Sequence, residues 1–251
     1  MKHVLDILKL EYDLNWRPPI LGIIYATFFA IYLSNLKYSA AIVEEWEKVY
    51  MYVFEMMGGY MYLSIPLIAF IGYVYSRSIA GSISSGLMKT ILSYPVKRKK
   101  ILAVKFTLGY LIFFIAGILP MLYSWFLYGI QVEAFISVTT TYALKLFFYT
   151  AFAISISLMA RESLASLTEI LFSLYIVESL PSFLYMLKLD RLAKIVNVNM
   201  LALILHNTFT SDNPLATLIE SDGVYIILLY SSLSVIFTSI SIIIFQKMDL
   251  D

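Results

Sequence analysis

GLMKTILSYPVKRKKILAVKF, residues 86–106, lies between two long apolar runs. After Tyr94-Pro95 it carries five cations, Lys97, Arg98, Lys99, Lys100 and Lys105, and no acid. Upstream, Ile79, Ile83, Leu87, Met88, Ile91 and Leu92 are spaced by 4, 4, 1, 3 and 1, a helical rather than a strand period. Pro95 stops simple continuation and pushes Tyr94 out of the α region. The stretch therefore predicts a short amphipathic helix, a turn, and a basic re-entry into the next apolar run. A helix held between two membrane spans acts as a lever, because moving it moves both spans.

The runs on either side are membrane material. The 251 residues are 61% hydrophobic and 14% charged, whereas a soluble domain is about 45–50% apolar and 25% charged. A spanning helix takes about 20 mainly apolar residues. Six segments meet that length, at about 18–36, 56–76, 106–130, 135–160, 164–187 and 224–246. Barrel-type alternation is absent, so the expectation is an all-α integral membrane protein with six transmembrane helices in one domain. Residues 77–105 form its cytosolic loop and 188–223 its largest outer segment. With both termini cytoplasmic, twelve Lys and Arg fall inside and five outside, with Lys145 within a span. The positive-inside rule selects that orientation.

Residues 1–17 read as an amphipathic helix on the inner leaflet, with Val4, Leu5, Leu8 and Tyr12 on its apolar face and Trp16-Arg17-Pro18-Pro19 as an interfacial corner. The start is too charged for a signal-peptide core. The first outer connection carries Glu44, Glu45, Glu47 and Glu55, and reads as a solvated acidic loop rather than a metal site. Residues 200–205 are apolar but too short to span, which suits a re-entrant or interfacial helix. Pro66, Pro120 and Pro181 should kink or interrupt their spans. Ser231, Ser234, Thr238 and Ser241 form a stripe suited to a packing seam.

Catalytic chemistry finds little footing. There is no cysteine, and His3 and His206 are the two histidines, so no paired-histidine metal motif exists. His206 reads as an interfacial residue. Gly81 and Gly86 have the spacing of P-loop glycines, but Leu87 and Met88 occupy the Lys and Ser/Thr positions. No catalytic residue, metal ligand or cofactor is expected in this chain. The intramembrane charges Lys145, Glu169 and Glu178 do call for a role. Lys145 and Glu178 lie at depths that agree to about 1.5 Å, and either pair with each other or line a path. Glu169, near the inner end, has Arg161 and Lys105 within range.

The loop SSGLMKTILSYPVKRKKILAVKF resembles the signature of type-2 ATP-binding cassette (ABC) exporter permeases, with its glycine-led helix, Leu-Ser-x-Pro ending and basic re-entry. The resemblance extends to the six spans, the amphipathic N-terminal helix, ISLMARESLASL between spans four and five, and the long outer segment before span six. The pattern departs just before the loop, where Arg77 and Ser78 stand in place of the frequent Glu-Arg. The resemblance implies a permease subunit of the cell membrane, surrounded by lipid, with Gly86, Leu87, Met88, Leu92, Ser93, Tyr94 and Pro95 forming the ATPase-coupling interface. It further implies a second permease subunit and two partner ATPases, which bind the ATP and Mg. Nucleic acid is not expected as a partner. Three alternatives stay open: a secondary transporter using Lys145 and Glu178, a membrane enzyme, and a non-transporting anchor or immunity protein.

Overall fold

The computed structural model describes residues 2–42, 63–93, 97–128 and 131–248. All regular structure among them is helical. In chain order the helices are α1 (Lys2–Asn15), α2 (Pro18–Ile42), α3 (Ser64–Tyr75), α4 (Leu87–Ser93), α5 (Arg98–Tyr128), α6 (Val132–Ala160), α7 (Ser163–Met186), α8 (Asp190–Val196), α9 (Met200–Thr210), α10 (Pro214–Glu220) and α11 (Gly223–Lys247). Between α3 and α4 the chain continues as a π-helical turn, Ser76–Gly81, and a single short turn, Ser82–Ser84.

The protein is a multi-pass α-helical membrane protein. Helices α5, α6, α7 and α11 are long and apolar enough to cross a bilayer. Two bent pairs pass the same test together, residues 6–15 with 18–34 at 66° and α8 with α9 at 87°, giving four to six candidate spans. The acidic connection with Glu44, Glu45, Glu47 and Glu55, and the first part of the expected second span, lie outside the described residues.

Helix α6 is the hub. It packs against α3, α5, α7, α9 and α11, and 61% of its most apolar window is buried, against 17% for α7 and 22% for α11. Those two helices therefore turn long apolar faces outward, where a bilayer supplies the solvent. Their exposed Phe172, Phe183, Leu228 and Val235 are ordinary lipid-facing residues in that setting.

Several expectations need correction. The basic re-entry is not a loop: α5 begins at Arg98, so Lys99, Lys100 and Lys105 are helical. Pro120 and Pro181 sit inside α5 and α7 and do not interrupt them, one of the two outcomes expected of them. Pro66 falls in the first turn of α3, where the missing N–H costs no intrahelical bond. Helix α1 presents a different face from the one its pattern suggests. Ile7, Glu11, Asn15 and Trp16 are buried while Tyr12 is exposed, because α1 packs on α5 and the π turn rather than merely on a lipid surface. Trp16 meets the Phe113 ring edge-on at 5.4 Å. His206, on α9, is 3% exposed, and its Nδ1 has no hydrogen-bond partner among the described residues.

Gly109 of α5 makes the α1–α3–α5 junction possible. A Cβ there would collide with the Tyr75 phenol and press on Trp16. Gly109→Ala is expected to destabilise by about 1–3 kcal/mol, the usual penalty of overpacking, with partial rescue by Tyr75→Phe. Thermal melting of the purified variants checks this, and an unchanged midpoint for the single variant would refute it.

Candidate functional site

The segment around residues 86–106 is built from the short helix α4 and the attachments on either side of it. Gly86 initiates α4 at φ +75°, a left-handed conformation that a side chain would strain. Nothing lies within 4 Å of a Cβ built there, so the requirement comes from the backbone and not from space. On α4, Met88 and Ile91 are 1% and 3% exposed and anchor the helix to the bundle. Lys89, Thr90 and Ser93 are exposed, and Leu87 and Leu92 are half-buried. Met88 is thus an anchor, whereas Leu87, Leu92 and Ser93 remain open to a neighbour. Tyr94 and Pro95 lie outside the described residues.

The N-terminal root of α4 is the π turn. A π turn shifts the backbone hydrogen-bond register, and such turns are frequent at functional sites. Here the Ser78 carbonyl accepts both Ser82 Oγ at 2.7 Å and Lys105 Nζ at 3.0 Å. Lys105 forms a buried ion pair with Glu11. Ser78 Oγ completes a closed network, donating to Glu11 Oε1 at 2.6 Å and accepting from Lys105 Nζ at 2.7 Å, while Asn15 Nδ2 donates to Glu11 Oε1 at 3.0 Å. Glu11 and Lys105 are 4% and 3% exposed. One network therefore joins α1, the π turn and the first part of α5.

Downstream of α4, Arg98 donates to the backbone carbonyls of Phe245, Gln246 and Met248 at 3.3, 3.2 and 2.7 Å. It caps the C-terminus of α11, where carbonyls lack intrahelical donors. One of the basic cluster's cations is thus committed to holding the last helix.

The second site lies deeper. Lys145 of α6 is fully buried and forms an ion pair with Glu178 of α7. Its Nζ also donates to Ser64 Oγ at 2.6 Å and Asn199 Oδ1 at 3.1 Å. The Tyr149 hydroxyl donates to Glu178. Four segments thus meet at one neutralised pair: α3, α6, α7 and the turn before α9. The cavity beside it, lined in part by Glu178, Asn199 and Tyr230, has a volume of about 10 Å³, room for about one water. The pair therefore joins four segments of the bundle beside a cavity of one-water size. Glu169 is exposed on α7. Lys105, one of its expected partners, is bonded to Glu11 instead.

Glu11 was the residue sequence reasoning missed. Its signal was weak: a lone acid one turn beyond Ile7, next to the apolar face of Val4 and Leu8. Among the described residues no group of three His, Asp or Glu side chains is disposed to hold a metal. No protein-family model matches this chain, and no curated protein matches it either.

Proposed function

We propose that the chain is the membrane-spanning permease subunit of an ABC exporter in the cell membrane, driven by separate ATPase subunits. The observation that carries this is the mounting of α4. It is a short helix whose open face is Lys89, Thr90 and Ser93, flanked by the half-buried Leu87 and Leu92, with the Glu11–Ser78–Lys105 network before it and the Arg98 cap on α11 after it. A push on α4 reaches α1, α3, α5 and α11 together. A helix that merely closed a loop would need neither device.

In this reading Gly86, Leu87, Leu92 and Ser93 meet the ATPase, with Lys89 and Thr90 on the same exposed side, and Met88 transmits the load inward. ATP and Mg sit on the partner, and a second permease copy or relative completes the translocation path. Export follows from the resemblance of the loop alone. The secondary-transporter alternative draws less support, since Lys145 and Glu178 neutralise each other beside a cavity of one-water size.

The test is association with an ATPase encoded alongside this chain. The two should co-purify, and Leu87→Asp with Leu92→Asp should weaken the complex about tenfold or more, as loss of central apolar anchors does. Helix content and thermal midpoint should stay near wild type. Transport that survives without any nucleotide-hydrolysing partner would reject the proposal.

A further inference from the structure

A trench of about 160 Å³ lies between α5, α6 and α11. Its floor is Ala151 and Ile154. One wall is Ala103 and Thr107 of α5, and the other is Thr238 and Ile242 of α11. Small side chains create it: Ala103, Ala151 and Ser241 leave the space that larger residues would fill, and Ser241 is drawn inward by its bond to Ser155 at 2.7 Å. At the basic end of the trench stands Lys99, exposed and directed to no acid among the described residues.

We propose that this trench is a binding site for an anionic phospholipid, one acyl chain lying along the floor and the phosphate resting on Lys99. The dimensions fit. From Lys99 to Thr107 is eight residues of helix, about 12 Å, close to the roughly 15 Å of one leaflet's hydrocarbon. The chemistry fits as well: the trench is apolar where acyl chains lie and cationic where headgroups lie. Lys97 and Lys100 are exposed but do not line the trench, while Arg98 is engaged with the end of α11. Two hydroxyls of the lining are satisfied by backbone carbonyls, Thr238 by Ser234 at 2.8 Å and Ser241 by Phe237 at 2.8 Å, so these two do not demand a polar occupant. Lipid seated there would brace α5 against α11 just inside the segment that carries α4.

Native mass spectrometry of the full chain, with phosphatidylglycerol and phosphatidylcholine added in equal amounts, tests the site. Wild type should retain phosphatidylglycerol about fivefold over phosphatidylcholine, the factor that one cation near an anionic surface carries. Lys99→Gln should bring that ratio close to one, while Lys97→Gln, off the trench, should leave it unchanged. Ala103→Trp fills the trench from an exposed position and should lower retention of both lipids. Equal retention by wild type, an unaltered ratio in Lys99→Gln, an equal loss in Lys97→Gln, or unaffected binding in Ala103→Trp would each overturn the proposal. So would a dimer without bound phospholipid, which would mean that a second copy covers the trench.

Discussion

Lys145→Met and Glu178→Gln are each expected to destabilise the protein by about 3–5 kcal/mol, the cost of leaving one buried charge without its partner. The combined variant should lose distinctly less than the sum. Lys145 is fully buried, so Glu178→Gln strands an ammonium whose remaining acceptors, Ser64 Oγ and Asn199 Oδ1, are neutral. Glu178 has 22% of its side chain exposed and keeps the Tyr149 hydroxyl, so Lys145→Met leaves the better-accommodated charge. The lysine-retaining variant should therefore be the less stable of the two. Denaturation in mixed micelles, followed by helix content, supplies the double-mutant cycle. Strict additivity would mean that the two groups do not act as a pair. Loss of stability with transport intact would separate a structural joint from a path-lining role.

That pair was legible because depth in a membrane can be counted. Two charges on consecutive long helices at matching depth have few other places to go. The long helices were legible for a similar reason: about 20 apolar residues without a charge leave little choice of structure in lipid. Residues 200–205 were likewise too apolar for a loop and too short to cross, and they form the start of α9 behind the sharp bend from α8.

The machinery around α4 was less visible. Glu11 and Lys105 are 94 positions apart, and Lys105 had an easier local explanation as one cation of a basic cluster. Sequence periodicity reports which face of a helix is apolar, and Glu11 interrupts the face that is in fact buried. Its burial is possible because Lys105, Ser78 and Asn15 satisfy it, and that is knowledge of tertiary neighbours. The π turn has no apolar signature of its own either. The serines at 76, 78 and 82 hint at it in retrospect, since two of their hydroxyls bond backbone carbonyls within the turn or just before it. Arg98 shows the same limit: a cation in a basic block reads as a headgroup contact until the end of α11 is seen beside it.

Breaking the Glu11–Lys105 pair should do more than lower stability. Glu11→Gln or Lys105→Met is expected to cost about 3–5 kcal/mol, because both side chains are almost wholly buried and each is the other's counter-charge. Glu11→Gln should be the milder, since glutamine keeps an acceptor for Ser78 and Asn15. The swap Glu11→Lys with Lys105→Glu should recover part of the loss but not all, because Ser78 is placed to donate to the α1 side and accept from the α5 side. The consequence for function comes from what the network connects. With it cut, α1 and α5 are no longer tied to the π turn, so in the proposed mechanism force arriving at α4 spreads into slack instead of into the bundle. Under the proposed coupling, an ATPase partner should then still bind and still hydrolyse ATP, while transport per ATP falls. Leu87→Asp predicts the opposite order, with binding lost first. A Glu11→Gln variant that couples as well as wild type despite a lowered melting point would confine the network to a stabilising role and leave α4 to be driven through Met88 and Ile91 alone.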